Sequence, residues 1–289
     1  MNKQKKVWTI GSILTWTRQY FGEKGVDNPR LDAEVLLSHI LDKDRLHLYV
    51  NFDQPLQPAE LAAFRDAVKK RVMRIPVAYI TGHKEFMGLD FTVAPAVLIP
   101  RPDTEILVET ALNRLKGAES LRLLDMGIGS GAILISLLVK LPQAQGVGVD
   151  ISQDALQVAE KNGEHLGVAN RLELCRGDLF APVADREFDA VLSNPPYIPD
   201  GDISQLTPEV RREPRLALAG GNDGLDFYRR IIDQGGKLLS SGGFIALEVG
   251  VHQAGQVASL AAAGQELVVA AIVKDYAGIE RVVVLEKKV

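Results

Sequence analysis

The spacing of apolar positions changes twice along the chain, and each change marks a change of architecture. Near the start, apolar side chains recur at helical intervals. Ile10, Ile13, Leu14 and Trp16 form a first segment ending at Gly22, Pro29 opens a second with Ala33, Val35, Leu36 and Leu37, and Pro58 opens a third with Leu61, Phe64, Val68 and Val72 on one face. A period near 3.6, with proline in the first turn, predicts short helices packed as a domain of their own over residues 1–76. Over residues 77–101 the texture shifts. The alternating run Phe86-Met87-Gly88-Leu89-Asp90-Phe91-Thr92-Val93, punctuated by Gly82, Gly88, Pro95 and Pro100, predicts a hairpin linker.

From residue 102 onward strands and helices alternate. A helix over 102–116 starts at Pro102 with Asp103 and Glu105 in its first turn, where the helix dipole favours acids. Strands are expected at 121–126, 146–150, 171–175 and 188–193, with helices at 132–141 and 153–166 between them. That rhythm implies an α/β domain over 102–289, built on a mostly parallel sheet with helices on both faces. The polar stretch 200–226 is too long for a simple connection and reads as a functional loop or lid. A helix at 225–239, a strand at 243–249, a helix at 253–263 and strands at 266–273 and 280–285 complete the expected order, with no internal repeat.

Composition narrows the class. With 289 residues, 46% hydrophobic and 24% charged, the chain has a globular composition and room for one large or two moderate domains. No apolar run follows the charged opening residues 1–6, and none approaches membrane-spanning length, so a soluble cytoplasmic protein is expected. The net charge of −4 argues against affinity built on nucleic-acid phosphates, and no stable nucleic-acid binding is expected. A single cysteine, Cys175, excludes an intramolecular disulfide, and its apolar neighbours predict a buried thiol. The five histidines fall at no metal-ligand spacing, so no metal is expected.

The chemistry concentrates at the expected carboxyl ends of the strands, where open α/β sheets bind ligands. Ser193-Asn194-Pro195-Pro196-Tyr197 closes one strand, and its two prolines donate no hydrogen bonds and set a rigid corner. The Asn194 side-chain carbonyl and a backbone carbonyl freed by proline make two acceptors for a planar NH2 group, with the Tyr197 ring packed on its face. For Asn-Pro-Pro alone, a strand-ending turn is the plainer account. Asp125-Met126-Gly127-Ile128-Gly129-Ser130-Gly131-Ala132 lies between the first strand and helix of the sheet. There glycines permit a tight turn and let backbone N–H groups approach a ligand. The loop does not choose a cofactor, since Gly127, Gly129 and Ala132 also satisfy the dinucleotide fingerprint. Asp150 is placed to accept from ribose hydroxyls or to cap the next helix. Asp178 is placed to accept from an adenine amine, with Leu179 and Phe180 packing on the ring, or is a turn carboxylate. Three such strand ends in succession match a nucleoside.

These motifs resemble the S-adenosylmethionine-dependent methyltransferases that modify planar nitrogens, among them the adenine and cytosine amino methyltransferases of DNA. Ala78-Tyr79-Ile80-Thr81-Gly82, Leu98-Ile99-Pro100-Arg101-Pro102-Asp103-Thr104-Glu105 and Glu213-Pro214-Arg215-Leu216-Ala217-Leu218 narrow the match. Together with Gly220-Gly221-Asn222-Asp223-Gly224-Leu225, they resemble the bacterial release-factor glutamine methyltransferases, the PrmC/HemK family, over nearly the whole chain. The resemblance implies a seven-stranded Rossmann-like class I methyltransferase domain, joined by a β-hairpin to a small N-terminal helical-bundle domain that helps grip a class I peptide-chain release factor. It implies methylation of the amide nitrogen of the glutamine in that factor's Gly-Gly-Gln motif, with S-adenosyl-L-methionine converted to S-adenosyl-L-homocysteine. Catalytic residues are then expected at Asn194, Pro195, Pro196 and Tyr197. Cofactor contacts are expected at Asp125, Gly127, Ile128, Gly129, Ser130, Gly131, Asp150, Asp178, Leu179 and Asn194. Met126 and Ile128 stand where the family commonly has Leu and Thr, which bears on side-chain contacts at 128. Rival readings are methylation of another protein's glutamine, methylation of an adenine or cytosine amine, a nicotinamide-dependent oxidoreductase, and a non-enzymatic nucleotide-binding module. Arg101 is expected to pair with a carboxylate, either the methionine end of the cofactor or one at a domain interface.

Overall fold

The computed structural model describes residues 7–288; the charged opening, residues 1–6, lies outside the described residues. The chain divides into two compact units, one running to Gly82 together with Pro208–Arg212, the other comprising His83–Thr207 and Glu213 onward.

The first unit is helical: α1 (Ile10–Glu23), α2 (Pro29–Leu41), α3 (Arg45–Val50), α4 (Pro58–Val72) and α5 (Val77–Thr81). The amide of Ser12 donates to the Thr9 side chain and the Thr9 amide donates to Ser12 Oγ, so two orphan donors at the α1 terminus are satisfied reciprocally. Ile10, Ile13, Phe21, Leu36, Leu37, Leu48 and Phe64 form the core between the helices. The helix α3 had no counterpart in the apolar spacing; six residues are too few to display a period. Arg71 on α4 is 5% exposed and bonds Asp32 at 2.7 Å and Glu209 at 2.8 Å. A buried guanidinium requires such partners, which is why five residues of the polar stretch fold with the helices.

The hairpin expected over 77–101 is confined to β1 (His83–Phe86) and β2 (Leu89–Thr92), and belongs to the second unit. The remaining elements are α6 (Glu105–Arg114), β3 (Arg122–Met126), α7 (Ala132–Lys140), β4 (Gln145–Asp150), α8 (Gln153–His165), β5 (Leu172–Arg176) and β6 (Phe188–Ser193). They are followed by α9 (Asp226–Gly235), β7 (Leu239–Glu248), α10 (Ala254–Ala263), β8 (Leu267–Lys274) and β9 (Glu280–Lys287). The helix expected over 102–116 opens with a 3-10 turn, Pro102–Thr104.

Seven strands make one sheet in the order β5-β4-β3-β6-β7-β9-β8, in which β9 alone is reversed and pairs antiparallel with both β7 and β8. Successive residues of a strand face opposite sides, so Leu123, Ala190 and Leu192 join the core under α6 and α7. Leu124, Val191 and Ile245 join the core under α9 and α10. Both faces are therefore buried, which explains the apolar run Ala190-Val191-Leu192 in β6. The strand order reverses between β3 and β6, and this switch point opens a crevice at their carboxyl ends. Cys175 on β5 is half-buried rather than buried. Its thiol contacts Glu173 Oε1 at 3.4 Å, because β5 is the edge strand and only partly covered. Among the described residues no helix is long and apolar enough to cross a membrane.

Candidate active site

A cavity of about 340 Å³ occupies the crevice. The carboxyl ends of β3, β4 and β6 supply Met126, Asp150 and Ser193 to its lining, and the loops that follow supply Gly127, Ile128, Gly129, Ser130, Asn194, Pro195 and Pro196. Asp178 and Leu179 line it as well. Ten of the expected site residues are thus brought to one surface. Asp125, Gly131 and Tyr197 are not part of that surface.

The glycine loop is held by hydrogen bonds to the end of β4 and within its own backbone. Gly127 and Ile128 N–H both donate to Val149 O, at 2.8 and 3.0 Å, and Gly131 N–H donates to Ile128 O at 2.8 Å. Gly129 N–H donates to Asp150 Oδ2 at 3.0 Å. The expectation that these amides face a ligand is therefore corrected: four of them are consumed in shaping the turn. Gly131 caps α7 at φ +83°, a conformation that L side chains rarely adopt. Nothing would meet a Cβ at Gly127 within 4 Å, so the glycine leaves an open cradle at the cavity floor. Ile128, 4% exposed, is accommodated because Gly148 on β4 has no side chain; a Cβ there would lie 2.1 Å from Ile128 Cδ1.

Asp150 makes two contacts within the chain, one beside the helix cap expected from the sequence and one to the glycine loop that was not expected. Its Oδ1 accepts the Ser152 N–H at 2.9 Å, beside the Ser152 N-cap of α8, while Oδ2 holds the loop. Asp178 forms an ion pair with Arg230 at 2.7 Å. Behind the loop, Asp125 is fully buried and no well-formed hydrogen bond reaches either carboxyl oxygen. Burial pushes its carboxyl up to about 7, against the pull of the Leu134 backbone, with the Asp150 charge adding to the rise.

The corner after β6 is fixed from several sides. Asn194 Nδ2 donates to Thr104 Oγ1 at 3.2 Å. Tyr197 O accepts from Gln253 Nε2 at 3.0 Å, and the half-buried Tyr197 ring packs against the core beneath the corner and is not part of the cavity lining. Burial pushes the Tyr197 hydroxyl up to about 12, so it stays protonated. Gly220 and Gly224 pass so close that a Cβ on Gly220 would lie 2.7 Å from Pro196 O, and one on Gly224 would lie 2.3 Å from Tyr197 O. Arg101 pairs with Glu213 of the same unit, whose other oxygen accepts the Ile99 N–H at 3.1 Å.

Several lining residues escaped the sequence reading. Thr104, Phe227 and Arg230 come from helices distant in sequence, and only the fold delivers them. Asn162, fully buried, donates to Ser130 O at 2.8 Å and to Thr92 O at 2.9 Å, and accepts from Thr92 N–H, tying the hairpin to the glycine loop. An asparagine on a helix that is half polar carries no signal of this.

The donor set fits a nucleoside sulfonium. Ile128, Val149, Ile151, Leu179 and Phe227 offer an apolar slot, and Asp150 and Asp178 offer carboxylate acceptors at its edges. Among the described residues no cluster of side chains suits a metal ion.

Fold and cavity together define a Rossmann-like methyltransferase domain. Residues 102–211 match the "Methyltransferase small domain" model and residues 12–82 match the "PrmC N-terminal domain" model. The chain is 51% identical over 255 residues to a release factor glutamine methyltransferase of Geobacter sulfurreducens, covering 88% of each chain. It is 46% identical to that of Moorella thermoacetica, covering 89% of this chain and 91% of the relative. The chain belongs to the release factor glutamine methyltransferase family. A ribosomal protein L11 methylase of Lactobacillus delbrueckii superposes with a TM-score of 0.51 over 68% of this chain and 84% of that one; at 18% identity this speaks to the fold alone.

Proposed function

We propose that this protein methylates the side-chain amide nitrogen of the glutamine in the Gly-Gly-Gln motif of class I peptide-chain release factors, using S-adenosyl-L-methionine. The observation that carries the reading is the Asn194-Pro195-Pro196 corner lining the same cavity as the glycine loop and Asp150. An amide acceptor and a nucleoside site thus share one space, within a chain that belongs to this family.

In this reading Gly127, Ile128, Gly129 and Ser130 form the floor under the cofactor, with Asp125 and Gly131 supporting that floor from behind. Asp150 accepts from the ribose hydroxyls, and Asp178 and Leu179 meet the adenine. When bound, S-adenosyl-L-methionine supplies an electrophilic methyl group. The helical unit contributes recognition of the protein substrate.

The glutamine amide is a poor nucleophile because its lone pair is delocalised. Asn194 Oδ1 and the Pro195 carbonyl accept its two protons, which orients the nitrogen lone pair and stabilises positive charge developing there. Proline at 195 and 196 keeps this acceptor pair rigid, and Tyr197 supports it from the core. Positioning of this kind lowers barriers by roughly 7–11 kcal/mol, more than the 10²–10⁴-fold typical of a general base, so no catalytic base is required.

The test is transfer of a labelled methyl group from S-adenosyl-L-methionine to purified release factor, beside a copy with the Gly-Gly-Gln glutamine replaced and beside duplex DNA. Label on the intact factor alone is expected. Label on both copies of the factor, or on DNA, overturns the substrate assignment.

A further inference from the structure

Glu248, at the end of β7, is 2% exposed, and its Oε2 has no hydrogen-bond partner. Burying a carboxyl so incompletely satisfied is costly. The Thr104 side chain, itself 4% exposed, pulls the Glu248 carboxyl down as a hydrogen-bonding neighbour, and Thr104 Oγ1 accepts from Asn194 Nδ2 at 3.2 Å.

We infer that Glu248 and Thr104 are positioning residues that set which end of the Asn194 amide faces the substrate. An ionised carboxylate accepts hydrogen bonds and donates none, so the Thr104 hydroxyl must give its proton to Glu248. The Thr104 oxygen then has only lone pairs to offer Asn194, which must turn Nδ2 toward it. The carbonyl Oδ1 is left for the substrate. Without that polarity the near-isosteric amide can reverse and confront a substrate NH2 with its own NH2, donor against donor. This rests on the reading of Asn194 as an amide acceptor given above.

The surroundings make the device sensitive to pH. Burial pushes the Glu248 carboxyl up to about 7; the Thr104 bond, Arg281 and Arg101 oppose the rise and Asp103 adds to it. Tyr197 and Tyr228 also face it, and both stay neutral because burial raises their hydroxyls. Once protonated, Glu248 donates to Thr104, whose proton is then free to turn toward Asn194. The enforced polarity is lost in acid.

Two measurements test the relay. The first compares kcat, KM and cofactor Kd for the native enzyme, Thr104→Val, Thr104→Ser and Glu248→Gln across pH 5.5–9 with release factor as substrate. Thr104→Val is expected to lower kcat by about 10²-fold with cofactor Kd within about twofold of native, and Thr104→Ser to restore it. The native acid limb in kcat should be absent from Thr104→Val and Glu248→Gln. Native-like kcat in Thr104→Val, or an unchanged acid limb in both variants, overturns the relay while the native enzyme's transfer upholds the substrate assignment. The second measurement needs no substrate. In protein carrying ¹⁵N-asparagine, the Asn194 side-chain NH2 signal, assigned by its loss in Asn194→Ala, should move with pH in native protein and lose that dependence in Thr104→Val. A signal indifferent to both overturns the relay even if the release factor is not the substrate.

Discussion

Arg101 and Glu213 are ion-paired across more than a hundred residues of sequence, and Glu213 is almost wholly buried while Arg101 lines the cavity. Because the second Glu213 oxygen accepts the Ile99 N–H, one carboxylate fixes both the backbone and the side chain of the cavity wall at residues 99–101. Glu213→Gln keeps the shape but sets an amide NH2 against N–H donors. It is expected to cost about 1–3 kcal/mol of stability, read by chemical denaturation, and to weaken cofactor binding, read by calorimetry.

Asn194→Ala removes the side-chain acceptor proposed for the substrate amide and leaves the glycine loop untouched. Turnover is expected to fall by about 10²-fold or more, with cofactor affinity changed far less. Single-turnover transfer and calorimetry on the same preparation separate the two; near-native turnover removes Asn194 from its assigned role.

Asp150→Asn tests whether this carboxylate serves a ligand as well as the loop. The amide still offers an oxygen to one backbone N–H but sets an NH2 against the other, and it accepts ribose hydroxyls less well. Cofactor Kd should rise at least tenfold, about 1.4 kcal/mol, while an unchanged Kd would confine Asp150 to holding Gly129 and Ser152.

Gly224 sits at φ +77° with Tyr197 O and the Gln253 side chain where a Cβ would fall. Gly224→Ala must strain its own backbone and push the corner carrying Asn194. Loss of activity with a fall in Tm is expected, whereas alanine at the exposed Gly255, whose Cβ would meet nothing within 4 Å, should be nearly silent.

The pH dependence of folding has a definite sign. Burial raises the folded-state pKa of Asp125 from 3.8 to about 7. Between those values the folded chain keeps a proton that the unfolded chain has released, so this contribution is fully present below about pH 4 and is lost as pH rises to about 7. Asp125→Asn should therefore melt higher than the native enzyme at pH 8 without cofactor, with the difference closing near pH 4. A constant difference across that range would remove the titration as its cause.

Much of the second unit was legible because its signals are local. The middle of β6, Ala190-Val191-Leu192, is apolar because both its faces are covered, and Pro195-Pro196 ends it by chemistry that needs no partner. The same holds for Gly127, Gly129 and Gly131, whose positive φ the turn demands. Less was legible where a residue's role lies in what it meets. The half-buried Tyr197 ring, expected at the substrate, packs against the core beneath the corner, and the glycine-loop amides expected to face a ligand close the turn.

The sequence by itself determined the order of elements, the places where strands must stop, and a shortlist of acceptors at one sheet edge, because periodicity, proline and glycine act over a few residues. Only the tertiary structure decided that Thr104 and Glu248 stand in line behind Asn194, that Glu213 secures Arg101, and that Arg71 takes Glu209 into the helical unit. Those pairings join residues tens to more than a hundred positions apart. What selects them is the need of buried polar groups for partners, which no local pattern encodes.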